Sequence, residues 1–275
     1  MPRFETSDGL SLFFEDEGTG LPILCLSGLT RDSRDFEYVL AHLQGCRVIR
    51  LDYRGRGQSD WAEDYMTYNV MREAQDAVEL LDHLGLEKAA VLGTSRGGLI
   101  AMGLAATLKQ RLLGVAINDV GPVLDPKGLE VIMGYLGVKP KAKTLEEAAA
   151  ARAHVMRDLF KGVPASRWME EVEKFFIQTD DGLELTYDPK LRDAIEASSH
   201  AAVPDLWPWL EALDGLPCAI IRGANSDLLT QETFEEMLTR LPKARGAVVP
   251  DRAHVPFLDE PEAVALLQAW IAEMQ

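Results

Sequence analysis

Short apolar runs alternate along this chain with longer stretches of helical period, the pattern of a mostly parallel sheet covered by helices. Leu10 to Glu15 alternates in the manner of a hairpin strand, whereas Ile23 to Leu26, Arg47 to Leu51, Ala89 to Leu92 and Leu113 to Ile117 are apolar runs suited to buried parallel strands. Two further runs, Cys218 to Ile221 and Gly246 to Val249, come late. Between strands, Asn69 to Leu84 sets Val70, Ala74, Ala77, Val78, Leu81 and Leu84 on one helical stripe with acidic residues opposite, which predicts a helix packed on the sheet. Gly97 to Leu108 is small and apolar nearly all round, as in a helix buried between layers, and Ala263 to Met274 reads as a closing helix.

From about Val123 to Leu206 the alternation stops and the sequence reads as helical, most clearly over Leu145 to Phe160 and Trp168 to Phe176. Pro122, Pro126, Pro204 and Pro208 mark its edges, where a chain leaving and rejoining a sheet needs extended or turning backbone. The expected organisation is therefore a core of residues 1–122 and 207–275 interrupted by an insertion, 123–206.

Composition narrows the function. Of the 275 residues, 47% are hydrophobic and 26% charged, the mix of an ordinary soluble globular protein with a sizeable core. With 28 Lys and Arg against 44 Asp and Glu, the formal charge of 28 − 44 = −16 disfavours nucleic acid and anionic membrane partners. The start, Met1 to Glu5, has no apolar stretch of signal-peptide length and no later run has the length of a membrane span, so a cytoplasmic protein is expected. Cys25, Cys46 and Cys218 each lie in or beside a strand-like apolar run and read as buried free thiols rather than a disulfide framework or metal ligands.

The strongest chemical signal is Gly93-Thr94-Ser95-Arg96-Gly97, preceded by the apolar run from Ala89 and followed by an apolar helix. By composition alone such a pattern would arise in roughly a tenth of chains this long, so its strand-to-helix setting carries the weight. A strand turning abruptly into a helix forces the residue at the turn into strained backbone and leaves no room for side chains beside it, a need that Gly93 and Gly97 meet. The turn projects the Ser95 hydroxyl above the sheet, and the Arg96 amide at the helix start points toward an oxyanion forming beside it. A serine is a poor nucleophile at neutral pH, so a base and a group to orient it are also needed. The loop after Cys218 to Ile221 carries Asp227, and the loop after the last strand carries His254; ligand and catalytic groups collect at such strand ends.

On these residues the chain resembles the α/β-hydrolase family, in which a Ser, Asp, His triad runs along the sequence, each member on a loop after a strand. The resemblance spans nearly the whole chain and implies an α/β fold with a mostly parallel, doubly wound sheet of about eight strands and a helical cap at 123–206. It implies Ser95 as nucleophile, Asp227 as acid and His254, within Ala253-His254-Val255-Pro256-Phe257, as base; Asp52 to Ser59 resembles the loop after the family's fourth strand. Asp119 is a rival acid, because it follows the run Leu113 to Ile117 and some members keep their carboxylate there. Ser27-Gly28-Leu29-Thr30 stands where relatives often carry His-Gly, which makes the Leu29 N–H the expected second oxyanion donor beside that of Arg96. Arg96 itself is unusual at a position expected to be apolar, and its side chain is expected to pair with a carboxylate or touch substrate.

Structural roles are expected elsewhere. Asp52 with Arg54 reads as a buried pair, and His42 and His83 lie within helical pattern; His154 and His200 fall in the insertion with no assigned role. Met102, Met133, Met156, Trp168, Phe175, Phe176, Trp207 and Trp209 are expected to pack interiors before they line a pocket. The resulting expectation is a serine hydrolase, without cofactor or metal, that cleaves a small to medium apolar carboxylic ester, lactone or thioester through an acyl-serine. The same triad also fits a carbon–carbon bond hydrolase of aromatic degradation, and a small-molecule receptor without turnover is the alternative outside enzymes. A small-molecule substrate is the only partner implied.

Overall fold

The computed structural model describes residues 2–198 and 204–275. Its main sheet has eight strands in the order β1-β2-β4-β3-β5-β6-β9-β10. β1 (Arg3–Glu5) and β2 (Ser11–Gly18) run antiparallel to each other, and β2 is antiparallel to β4 (Cys46–Leu51). The remaining neighbours are parallel: β3 (Leu21–Leu26), β5 (Ala89–Thr94), β6 (Leu112–Asn118), β9 (Cys218–Gly223) and β10 (Arg245–Val249).

The continuous apolar runs are buried on both faces, as expected for parallel strands. Leu24 and Leu26, Val91, Val115 and Ile117, and Ile220 enter a core with α2 (Val70–His83) and α3 (Arg96–Leu108), which α8 (Trp207–Glu211) and α9 (Gln231–Arg240) extend. Their alternates Ile23 and Cys25, Ala90 and Leu92, Ala116, and Ala219 and Ile221 face the opposite way, onto α1 (Glu37–Leu40) and α10 (Pro261–Ala272). The sheet is thus wound on both sides, and the three cysteines are buried and free. Among the described residues no helix is long and apolar enough to cross a membrane.

Between β6 and α8 the chain forms α4 (Pro126–Tyr135), α5 (Leu145–Met156), α6 (Ala165–Phe175), a hairpin of β7 (Phe176–Thr179) and β8 (Gly182–Leu185), and α7 (Leu191–Ser198). The hairpin corrects the wholly helical expectation for this stretch. Its signal was the Asp181-Gly182 step between two apolar segments, with Gly182 at φ 126° where a side chain would be strained. Pro126 and Pro208 do not turn the chain away from helices; each occupies the first turn of one, where a missing N–H has no consequence. These elements lie against the loops at the carboxyl ends of the strands: Arg34 reaches the Glu173 and Lys174 carbonyls, Asn225 donates to the Leu159 carbonyl, and Gly57 donates to that of Thr186. His200 lies outside the described residues. His83 stacks near Phe4 and Phe14 with ring centroids 5.8 and 5.9 Å away, a packing role.

Asp52 and Arg54 are both buried but do not pair with each other. Arg54 bonds Asp76 (2.6 Å) and Asp8 (2.9 Å), while Asp52 accepts the Ser33 and Gln58 amides (2.7 and 2.8 Å) and so ties the loop after β4 to that after β3. Burial, with the nearby Asp32 charge, pushes Asp52 up to about 6. A carboxyl raised in the fold binds more protons folded than unfolded, so it removes stability as pH rises from about 4 to 6. Thermal unfolding from pH 4 to 7 is expected to show this downward component, and Asp52→Asn to abolish it; an unchanged slope in the variant would contradict the assignment.

Candidate active site

Ser95 sits between β5 and α3 at φ 51° and ψ −112°, the strained turn its flanking glycines permit. A Cβ on Gly93 would lie 2.4 Å from the Gly97 backbone, and one on Gly97 would lie 1.9 Å from the Leu26 carbonyl oxygen, so neither position admits a side chain. The Ser95 amide donates to the Asn118 carbonyl (2.8 Å), which locks the turn to the end of β6.

His254 arrives on the loop after β10. Its Nε2 is 2.9 Å from Ser95 Oγ, and its Nδ1 is 2.8 Å from Asp119 Oδ2. The carboxylate beside the imidazole is therefore Asp119, and this corrects the assignment to Asp227. Both ring nitrogens are occupied, and Asp227, half-buried on the loop after β9 with its carbonyl beside Gly128 of α4, is not among their partners. Asp119 follows β6 directly. Its left-handed backbone, φ 59°, is one that aspartate tolerates better than most residues, and its own amide donates to the Ile221 carbonyl of β9 (2.8 Å). The side chain is fully buried and accepts from the Gly223 amide (2.8 Å) and the Ser226 hydroxyl (2.7 Å) as well as from His254. Three donors converging on one buried carboxylate fix its position, which suits it to hold an imidazole in one tautomer and orientation. A Cβ on Gly223 would meet the Arg252 and Ala253 carbonyl oxygens at 2.6 Å, so glycine there lets the histidine loop close over the acid.

Arg96 begins α3, among the amides with no acceptor inside the helix. Its guanidinium turns away into the protein, donating to Glu73 (2.6 Å) and to the Tyr68 carbonyl (3.1 Å), which realises the expected pairing with a carboxylate. Leu29 borders the same cavity as Ser95, and its carbonyl is taken by Arg56 Nε (2.9 Å). A Cβ on Gly28 would stand 3.9 Å from Ser95 Cβ, so this loop lies directly against the serine.

Beside Ser95 opens an apolar cavity of about 390 Å³, walled by Leu29, Leu99, Val120 and Leu228 and, from α4, by Ile132 and Met133. Glu196 is a polar group on its rim. Among the large apolar residues singled out from the sequence, Met133 faces this cavity, whereas Met102, Trp207 and Trp209 pack in the core as expected. Sequence reasoning missed the wall contributed by α4, whose spacing had not been singled out.

The sequence profile of the "Alpha/beta hydrolase family" matches residues 23–266. The chain is 38% identical over 253 residues to a 3-hydroxybutyrate-oligomer hydrolase of Cupriavidus necator, covering 89% of this chain and 86% of that protein. It is 25% identical over 263 residues to an esterase of Escherichia coli, YbfF, covering 91% and 92%. The crystal structure of an alpha/beta hydrolase from Novosphingobium aromaticivorans superposes with a TM-score of 0.91 at 37% identity, covering 100% of this chain and 98% of that one. An eight-stranded, mostly parallel sheet covered by helices on both faces, with hydrolases among its relatives, defines a hydrolase of the doubly wound class. The chain belongs to the α/β-hydrolase family.

Proposed function

We propose that this protein is a serine hydrolase that cleaves a small to medium apolar carboxylic ester through an acyl intermediate on Ser95. The observation that carries the reading is the unbroken hydrogen-bonded chain Ser95–His254–Asp119 opening onto an apolar cavity of about 390 Å³. Ser95 Oγ attacks the ester carbonyl as His254 Nε2 takes its proton, Asp119 holds the Nδ1–H, and the amides of Leu29 and Arg96 receive the oxyanion. The proton passes from His254 to the departing alkoxide; water then attacks the acyl-enzyme by the same route in reverse. In this reading residues 1–122 and 207–275 are the hydrolase core and 123–206 its cap, with α4 supplying part of the acyl wall. The 3-hydroxybutyrate-oligomer hydrolase makes short oligomers of hydroxy acids the first substrates to assay.

A fluorophosphonate is expected to modify Ser95 stoichiometrically, with loss of labelling in Ser95→Ala, and the parent to hydrolyse at least one member of a graded panel of esters, lactones and thioesters. A chain that neither labels nor turns over any of them would be a receptor instead.

A further inference from the structure

On the other side of the Gly28–Arg31 loop from the apolar cavity lies a second, polar space: Leu29 borders the one and Arg31 the other. Thr94, Asn118 and Val255, the chain neighbours of Ser95, Asp119 and His254, line it, so it abuts the site just described. It measures about 40 Å³, room for roughly three water-sized volumes and not for an acyl chain.

Two arginines, Arg31 and Arg152, and two carboxylates, Asp35 and Glu171, line it. Arg31 binds Asp35 (2.6 Å) and Glu171 (2.7 Å), and Lys174 lies 3.3 Å from the other oxygen of Glu171. Both carboxylates are thereby engaged, and the third cation, Arg152 of α5, feels Glu171 and Asp35 only at longer range, without a bond to either. Its guanidinium stacks over Phe175 at 4.8 Å, its Nε is buried without a hydrogen-bond partner, and among the described residues it makes no hydrogen bond or ion pair. An arginine cannot shed its charge to escape this position, and a bound anion would supply the acceptor that its buried Nε lacks.

We propose that Arg152 binds a free carboxylate on the alcohol half of the substrate, so that the preferred esters end in an acid. This rests on the reading of Ser95 as nucleophile, with the acyl chain in the apolar cavity. A planar guanidinium matches a carboxylate with two parallel hydrogen bonds. Asn118, whose Oδ1 is also buried and unpartnered, lines the same space, and an acceptor oxygen there would disfavour an anion beside it.

The test compares butyrate release from 3-butyryloxybutyrate and from its methyl ester. The parent is expected to favour the free acid in kcat/KM by about tenfold or more, mainly through KM, with the ratio falling to about one in Arg152→Gln and to an intermediate value in Arg152→Lys. A parent ratio of one or below, or a ratio preserved in Arg152→Gln, overturns the proposal. If Ser95 resists fluorophosphonate and neither ester is cleaved, it is the nucleophile assignment that fails. The carboxylate site is then decided by binding of 3-hydroxybutyrate, the alcohol half, to Ser95→Ala: a Kd about tenfold weaker on adding Arg152→Gln supports it, and an unchanged Kd refutes it.

Discussion

Asp119→Asn is expected to lower kcat by about three to four orders of magnitude, while Asp227→Asn stays within a few-fold of the parent. The asparagine retains the shape of the side chain, but its amide either presents a donor to His254 Nδ1 or gives up the contacts to Gly223 and Ser226. In the first case the imidazole must put its proton on Nε2, facing Ser95, and can no longer take the hydroxyl proton. Little of the loss should appear in KM, since Asp119 is fully buried and lies behind the ring. Steady-state kinetics on any ester the parent cleaves, with burst-phase measurement of acylation, checks this. The assignment is wrong if Asp227→Asn is the more damaging change.

The choice between these two acids marks where the sequence stops being legible. Continuous runs such as Ala89 to Leu92 and Cys218 to Ile221 announced parallel strands because burial on both faces leaves no polar alternation, and they occupy β5 and β9. Gly93 and Gly97 announced the turn at Ser95 because no other residue fits where their Cβ atoms would stand. Asp119 and Asp227 both follow strands that end on the same edge of the sheet, so spacing along the chain does not rank them. What separates them is three-dimensional: β6 lies next to β5, and a left-handed Asp119 turns beneath the loop after β9, which supplies donors from Gly223 and Ser226. The β7–β8 hairpin was missed because its strands are short and sit in a stretch of helical period. The partner of Arg96 was unreadable for a similar reason: Glu73 lies on another helix, and the acidic side of α2 reads as solvated until α3 packs against it.

Glu73→Gln is expected to destabilise the fold by about 3–5 kcal/mol, the largest stability effect foreseen for an exchange of this size. Glu73 is fully buried between two arginines, 2.8 Å from Arg56 and 2.6 Å from Arg96, themselves 0% and 7% exposed. Removing the one negative charge strands two guanidinium groups that cannot lose their protons. Burial works against the Glu73 charge, yet Arg56 and Arg96 outweigh it and hold the carboxyl below its usual range. A group depressed in this way contributes stability that is complete above its unfolded value and is lost as pH falls through the lower folded one. The difference between parent and variant should therefore be full near neutrality and shrink in acid. Arg96 opens α3 beside Ser95, and Arg56 holds the Leu29 carbonyl, so one carboxylate anchors both segments that border Ser95. Hydrolase activity should consequently fall with stability in Glu73→Gln. Urea unfolding at pH 7 and pH 4 reads the first effect, and assays well below the variant's melting temperature read the second; a loss under about 1 kcal/mol at pH 7 would show that the arginines find other acceptors.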